Sequence, residues 1–172
     1  MEDIFDIVNE KDEVIGDAPR SIIHQKRHLH RATHMLIYNN TGQILLQLRS
    51  KEKDRHPNKW DSSASGHVDR GEDYFTAAIR ETIEELGISP APDFKEIAYI
   101  QVTPQTDNEF VKLYLGHHLG PFKPCPNEIK KVQWFTPNDI SELIHRHPTK
   151  CAPAFSFIWQ TYREKILKEM ES

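Results

Sequence analysis

The sequence predicts an α/β fold in which helices cover a mixed, partly curved β-sheet. Two apolar runs at 33–38 and 43–49 read as neighbouring strands. An amphipathic pattern over 73–86 and an apolar stripe over 152–171 read as helices. The alternation of strand and helix patterns along one chain is what indicates this class.

The amino-terminal residues predict a hairpin. Ile4–Val8 is a short apolar run, typical of an edge strand. Asn9–Glu13 is a charged turn, and Val14–Gly16 returns as a second strand. An exposed first strand would allow two copies of the chain to pair as a homodimer.

The central strands are the clearest in the sequence. Asn39–Gly42 is a turn between the two apolar runs, because Asn and Gly accept positive φ. Ile44–Leu46 is apolar at consecutive positions, which indicates a strand covered on both faces. A further strand, Ser62–Val68, has small residues that let the backbone approach a metal or a phosphate closely.

The second half of the chain predicts three more strands and two helices. The strands are Phe94–Val102, Glu109–Leu119 and Val132–Phe135. A short helix starts at Pro137, since proline suits the first helical position. The closing helix, Ala152–Glu171, carries one apolar stripe for core packing, formed by Phe155, Ile158, Trp159, Tyr162 and Ile166.

The helix over 73–86 separates apolar residues from acidic ones. Asp73 is a suitable amino-terminal cap, and Gly87 accepts the left-handed dihedrals that end a helix. Wound at about 100° per residue, the sequence places its apolar residues on one face: Phe75, Ala78, Ile79, Thr82, Ile83 and Leu86. The other face carries Glu81, Glu84 and Glu85.

Three carboxylates on one helix surface repel one another, so their clustering is costly unless a positive charge lies over it. Arg80 can neutralise part of this charge. A hard divalent cation with oxygen ligands, such as Mg²⁺, would neutralise the rest. Three glutamates alone favour the alternative of a solvated acidic helix face.

The longer pattern around these glutamates resembles the Nudix box. Its fixed positions are met by Gly66, Glu72, Arg80, Glu81, Glu84, Glu85, Gly87 and Ile88. Thr82 departs from the aliphatic residue usual in the family, which costs helix propensity rather than chemistry. The resemblance implies an α/β/α sandwich with the box helix packed on one side. It also implies a metal-dependent hydrolase, using Mg²⁺ or Mn²⁺, that cleaves a phosphoanhydride bond in a nucleoside diphosphate linked to another moiety.

Residue roles follow from the same resemblance. Glu81, Glu84, Glu85 and the carbonyl of Gly66 would bind the metal. Glu84 is the first choice for the general base that takes a proton from the attacking water. Arg80 would hold the glutamates in place and would pair with Glu72.

A polar loop precedes the box and carries five basic residues between 49 and 59. Basic side chains recognise phosphate oxygens, so Arg49, Lys53, Arg55 and Lys59 are candidate contacts for a diphosphate. The alternative is a solvated loop with no ligand.

The amino-terminal part also resembles the Nudix branch that includes isopentenyl diphosphate isomerase. An opening strand, an acidic turn and a histidine-rich segment carry the likeness, with His24, His28, His30 and His34 in that segment. In the isomerase, histidines near this region bind a divalent metal. His34 opens a predicted strand as its isomerase counterpart does, and Glu109 and Asp107 match a later glutamate and a nearby metal ligand.

The isomerase reading is weaker than the hydrolase reading at one position. The isomerase has a cysteine before its Gly-His pair, and here Ser65 precedes Gly66. The box with all its carboxylates is a hydrolase feature of the family. A third alternative is a non-catalytic Nudix fold that binds a nucleotide or a partner protein, although that usually accompanies loss of the carboxylates.

Composition limits the partners. A chain of 172 residues suits one domain, here 1–172. Its formal net charge of −4 argues against a nucleic-acid binder, and no apolar run would span a membrane. Cys125 and Cys151 lack metal-ligand spacing and read as reduced thiols. We therefore expect a cytoplasmic protein, and the resemblance to the Nudix family implies that its partner is a small-molecule pyrophosphate.

Overall fold

The computed structural model describes residues 1–172 and contains nine strands, four α-helices and one short 3-10 helix. The strands are β1 (Ile4–Val8), β2 (Val14–Pro19), β3 (His30–Tyr38), β4 (Ile44–Arg49), β5 (Trp60–Asp61), β6 (Ala64–His67), β7 (Lys95–Ile100), β8 (Glu109–His117) and β9 (Ile129–Phe135). The helices are α1 (Arg20–Gln25), α2 (Tyr74–Leu86), α3 (Pro137–Arg146) and α4 (Pro153–Met170), with the 3-10 turn at Pro148–Lys150. None of the helices has the length and apolar character to cross a membrane.

Strand β3 is the centre of a seven-stranded mixed sheet. It runs parallel to β8 and antiparallel to β4 and β6. Strand β4 continues to β5 and β9, and β8 continues to β7. The predicted mixed sheet is therefore confirmed. The register places His30 opposite Glu109 at one end of β3, and His34 opposite Ser65 further along.

Helices cover both faces of this sheet, as the alternation along β3 requires. Met35 and Ile37 point to the side that α2 covers, where they join Ala77, Ala78 and Leu86 in one apolar cluster. Leu36 points to the opposite side, into the cluster formed with α4. The α4 stripe predicted from sequence is confirmed, with its buried members Phe155, Ile158, Trp159 and Ile166.

Helix α2 begins and ends where the sequence predicts. The Asp73 carboxylate accepts a hydrogen bond from the Thr76 backbone N–H at 2.7 Å, and Gly87 has a φ of 65°. Glycine adopts this left-handed conformation without the steric cost that a Cβ brings. These two residues set the length of the helix that carries the glutamates.

The predicted packing face of α2 was wrong in part. Phe75 and Ile83 are 46% and 37% exposed, whereas Ala77 and Glu85 are buried. Residue type alone assigned large apolar side chains to the core. The small residue Ala77 instead packs against the sheet and lets α2 lie close to β3 and β6. The helix is therefore rotated about its axis relative to the prediction, and this rotation buries Glu85.

The amino-terminal hairpin of β1 and β2 is confirmed, and it is a separate two-stranded sheet. Its first strand is not exposed, because Phe5 and Val8 are each 2% exposed. The expectation of a homodimer through an exposed first strand was therefore wrong in its premise. The six-residue helix α1, which follows the hairpin, was not predicted, since its length leaves no periodic pattern to detect.

Asp12 ties this hairpin to the rest of the molecule. It lies in the hairpin turn with a φ of 62°. Its carboxylate accepts hydrogen bonds from Arg31 Nε at 2.6 Å, from the Tyr74 hydroxyl at 2.6 Å and from the Tyr99 hydroxyl at 2.8 Å. One side chain therefore connects the hairpin with β3, α2 and β7.

We expect Asp12→Ala to lower the free energy of unfolding by about 2 kcal/mol or more, because it leaves a partly buried guanidinium and hydroxyl without their acceptor. Glu10→Ala changes an exposed acidic residue in the same turn and serves as the control, with an expected effect of at most about 0.5 kcal/mol. Urea denaturation measures both. Equal stabilities of the two variants would show that the Asp12 contacts do not hold the hairpin.

Candidate active site

A cleft of about 680 Å³ lies beside α2 and brings the predicted residues together. Its lining includes the box residues Gly66, Arg80, Glu81, Glu84 and Glu85. The basic loop after β4 and the loop before β8 form the opposite walls. The acidic face of α2 is therefore turned toward a cleft, with Glu81 and Glu85 more buried than Glu84.

Arg80 organises the carboxylates. Its Nε and Nη2 donate to the two oxygens of Glu72, each at 2.9 Å. Its Nη1 donates to Glu81 at 2.8 Å and to Glu84 at 3.2 Å. Nη2 also donates to the backbone carbonyl of His67 at 3.0 Å. The guanidinium thus links the loop before α2, strand β6 and two of the three glutamates, and the predicted pairing with Glu72 is present.

Gly66 is required by the position of Glu81. A Cβ at Gly66 would lie 2.1 Å from the Glu81 carboxyl carbon, so any other residue here would force the Glu81 carboxylate out of its position. Strand β6 therefore lets the carboxylate of Glu81 lie directly against the backbone. The carbonyl of Gly66 is within 3.4 Å of the Thr33 hydroxyl, which can donate to it.

Glu85 is held more deeply than its neighbours. Its side chain is 7% exposed, and one carboxylate oxygen accepts from Gln47 Nε2 at 3.1 Å and from the Ser65 backbone N–H at 3.0 Å. Burial raises the pKa of Glu85 to about 8, and repulsion from Glu81 adds to this. Burial likewise raises the pKa of Glu81 to about 7, against the opposing charge of Arg80.

These carboxylates fit a divalent cation. Arg80 supplies one positive charge to a group of four acidic side chains, the three box glutamates and Glu72, so negative charge remains in excess. The oxygens of Glu81 and Glu85 are fixed by protein donors and are buried beside the cleft, where a hard cation would offset their repulsion.

The basic loop reaches the cleft through three of its four candidate residues. Lys53 pairs with Glu128, and Arg55 pairs with Asp107 and hydrogen-bonds to a histidine ring. Arg49 lines the cleft, but its guanidinium binds Asp61 at 3.2 Å and two carbonyls of its own loop, so it anchors that loop. Lys59 is not among the lining residues.

A second group of ligand-type side chains lies at the amino end of β3. The rings of His24, His30 and His67 each offer a nitrogen, and these three atoms lie within 4.8 Å of one another. Glu109 Oε1 lies 3.3 Å from His30 Nε2 and 3.0 Å from His67 Nε2. We call these four residues the histidine cluster.

The atoms of the histidine cluster fit a metal ion. His30 is 1% exposed, and its Nδ1 lies 2.9 Å from the carbonyl of His28, to which it can donate. In the neutral ring Nε2 then carries the lone pair, and it has no hydrogen-bond partner although it is buried. His24 Nε2 is also buried without a partner. Buried orphan nitrogens beside a carboxylate are suited to a cation.

The sequence-based expectation for His34 was wrong in one respect. His30 begins β3, and His34 lies inside the strand, with its Nδ1 at 2.8 Å from the Ser62 hydroxyl and outside the histidine cluster. His67 was not considered as a ligand. Its only sequence signal was its place after Gly66, and its distance of more than thirty positions from His30 hid the juxtaposition that strand pairing creates.

The carboxylate helix, the glycine strand beside it and the mixed sheet are the arrangement that the resemblance to the Nudix family implies. Comparison with known proteins agrees. The family model described as NUDIX domain matches residues 28–155. The chain belongs to the Nudix family, whose members hydrolyse pyrophosphates and generally need a divalent metal ion. It is a pyrophosphohydrolase of that family.

Individual relatives give the same family and branch. The chain is 38% identical over 156 residues to an uncharacterized Nudix hydrolase from Yersinia pestis, covering 91% of this chain and 85% of that one. It is 33% identical over 150 residues to the isopentenyl-diphosphate Delta-isomerase of Streptomyces avermitilis, covering 84% and 75%. The solved structure of DR0079 from Deinococcus radiodurans has a TM-score of 0.75 at 29% identity, covering 84% and 90%.

The raised pKa values predict how stability depends on pH. Between about pH 4.5 and 8 the unfolded state has ionised glutamates, whereas the folded state without a cation keeps the Glu81 proton up to about pH 7 and the Glu85 proton up to about pH 8. The folded state therefore binds more protons, so its stability falls as pH rises through this window. Excess Mg²⁺ should remove the fall, because the cation binds the ionised carboxylates.

Urea midpoints measured in EDTA and in Mg²⁺ test this. Glu85→Gln keeps the shape of the side chain but cannot ionise. In EDTA it should reduce the loss of stability as pH rises. A cation-free protein whose stability stays constant or increases across the window would contradict the buried, crowded state of these carboxylates.

Proposed function

We propose that the protein hydrolyses a phosphoanhydride bond in a nucleoside diphosphate linked to another moiety, with Mg²⁺ as its ion and Mn²⁺ as a possible substitute. The observation that carries this proposal is the convergence of Glu81, Glu84 and Glu85 with Arg80 on one cleft that also receives basic side chains. We further propose that 1–172 acts as one cytoplasmic domain.

The chain's own residues hold the reacting groups. Glu81, Glu84, Glu85 and the carbonyl of Gly66 would bind the ion. When bound, the ion would neutralise charge on the pyrophosphate and polarise the bond to be broken. Arg80 keeps Glu81 and Glu84 oriented through direct hydrogen bonds, so its contribution is positioning.

Glu84 would take the proton from the attacking water. Its side chain is 58% exposed at the cleft, and only its Oε2 contacts Arg80. Its Oε1 is free to accept a proton from a water molecule that attacks phosphorus. A new P–O bond forms to that water oxygen, the anhydride P–O bond breaks, and the leaving phosphate departs with the electron pair.

Lys53 and Arg55 would contact the phosphates, because both line the cleft opposite α2. Each is paired with an acidic side chain that a phosphate would have to replace. Charge-assisted bonds to phosphate are strong enough for such an exchange. Arg49 would support this wall by holding the loop.

An isomerase of isopentenyl diphosphate is the second candidate. The histidine cluster favours this candidate, because histidines bind a divalent metal in that enzyme. The similarity to the isomerase of Streptomyces avermitilis favours it as well. Ser65 opposes it, because a serine hydroxyl is a far poorer proton donor to an alkene than the cysteine site of the isomerase.

We expect Glu84→Gln to lower turnover at least about 10²-fold with the fold intact, since it removes the proposed base. Glu142→Gln, an exposed glutamate paired with Arg146 on α3, is the matched control and should keep full activity. Steady-state kinetics on the best pyrophosphate substrate measure both. Unchanged turnover in Glu84→Gln would remove this residue from the mechanism.

The substrate is found with a panel of nucleoside diphosphate compounds and isopentenyl diphosphate, assayed with Mg²⁺. Hydrolysis in oxygen-18 water identifies the phosphorus attacked. Conversion of isopentenyl to dimethylallyl diphosphate without hydrolysis would establish the second candidate instead. Binding without turnover of any compound would contradict both and indicate a ligand-binding module.

A further inference from the structure

Arg55 is hydrogen-bonded to the histidine cluster. Its Nη1 lies 2.9 Å from His24 Nδ1. A guanidinium has donors only and does not lose its proton in proteins, so His24 Nδ1 must be the acceptor. A neutral imidazole carries a single proton, which must then lie on Nε2. The contact with Arg55 therefore determines the tautomer of His24.

This tautomer cannot bind a cation through either nitrogen. The Nδ1 lone pair is directed at Arg55, and Nε2 carries the proton. Binding through Nδ1 would displace Arg55 directly. Binding through Nε2 would require its proton to move to Nδ1, which could no longer accept from Arg55. No net proton is gained or lost in that exchange, and in both cases the bond between Arg55 and His24 is broken.

The other two rings of the histidine cluster face the Glu109 carboxylate, and neither is held by a guanidinium. His30 Nε2 is buried, lacks a hydrogen-bond partner and lies 3.3 Å from the Glu109 carboxylate. His67 Nε2 lies 3.0 Å from the same oxygen, to which it can donate, so a cation at this nitrogen would require its proton to move to Nδ1. Phe5 stacks on the His67 ring at 4.5 Å and holds it toward the cluster. His24 is thus the one ring whose lone pair is already engaged by a neighbouring residue.

We propose that a divalent cation at the histidine cluster and the hydrogen bond between Arg55 and His24 exclude each other, so that cation binding releases Arg55 to the phosphates of the substrate. Arg55 lines the same cleft as Glu81 and Glu84, so the released guanidinium stays beside the proposed reaction site. Its remaining partner, Asp107, is on the cleft wall as well.

The chemistry of the donors defines the ion. Three imidazoles and one carboxylate suit Zn²⁺, Co²⁺ or Mn²⁺, whereas the oxygen donors of α2 suit Mg²⁺. The two sites can therefore be filled separately. Excess Mg²⁺ occupies the carboxylates, and Co²⁺ or Zn²⁺ then reports on the histidine cluster.

Co²⁺ affinity, followed by its visible absorption in excess Mg²⁺, tests the competition. Arg55→Ala removes the competing donor and should tighten Co²⁺ binding about tenfold, the equivalent of one charge-assisted hydrogen bond. Arg20→Ala is the matched control, because Arg20 lies one helical turn before His24 and pairs with Asp54. It removes one positive charge from the helix that carries His24 but breaks no bond to His24, and we expect a change below about threefold.

Nitrogen-15 spectra of the histidine rings test the mechanism directly. Without Zn²⁺, His24 should show a protonated Nε2 and an unprotonated Nδ1. With Zn²⁺, one nitrogen should become a ligand, and Nδ1 should be either protonated or bound to the ion. The proposal is overturned if His24 keeps its original tautomer while Zn²⁺ occupies His30 and His67, or if Arg55→Ala and Arg20→Ala change Co²⁺ affinity equally.

The release of Arg55 toward the phosphates rests on the proposed function and is tested by the affinity for a diphosphate analogue. Methylenediphosphonate, which cannot be hydrolysed, should bind tighter with Mg²⁺ and Zn²⁺ than with Mg²⁺ alone, and Arg55→Ala should abolish the gain. An unchanged affinity in the unaltered protein would overturn the release. A protein that shows the ring exchange and the tighter binding but hydrolyses no pyrophosphate would contradict the proposed function and leave this inference standing.

Discussion

The hydrogen bonds of Arg80 are the contacts on which the site depends. One guanidinium binds Glu72, Glu81, Glu84 and the backbone before α2, so a single cation determines where most of the acidic groups lie. Like charges held this close are unfavourable without a counter-ion. Burial, and after it repulsion from Glu81, raises the pKa of Glu85 to about 8, and a divalent ion would offset both effects.

The surrounding fold positions the carboxylates that Arg80 binds. Gly66 lets Glu81 lie against strand β6, and the small residues of α2 let that helix approach the sheet. The amino-terminal segment lies outside the matched domain of 28–155, yet it contributes to the cleft wall. Phe5 contacts the His67 ring, and Asp12 secures the hairpin. The histidine cluster therefore depends on an amino-terminal segment that the family model does not include.

Local patterns made much of this predictable from sequence. Turn residues and caps located α2, because Asp73 and Gly87 act within a few positions of themselves. Spacing brought the glutamates together for the same reason. The rotation of α2 was not predictable, since burial of Glu85 over Phe75 depends on the shape of the sheet beneath. The histidines of the cluster come from α1, β3 and β6. Residues so far apart in sequence leave no periodic pattern from which their contacts could be predicted.

We propose that the α2 carboxylates bind a divalent ion at the cleft. Anomalous scattering from crystals grown with Mn²⁺, in the unaltered protein and in Glu81→Gln, measures this directly. We expect a peak within bonding distance of Glu81 and Glu85 that disappears in the variant. A peak confined to the histidines, or none beside α2 in the unaltered protein, would contradict the account.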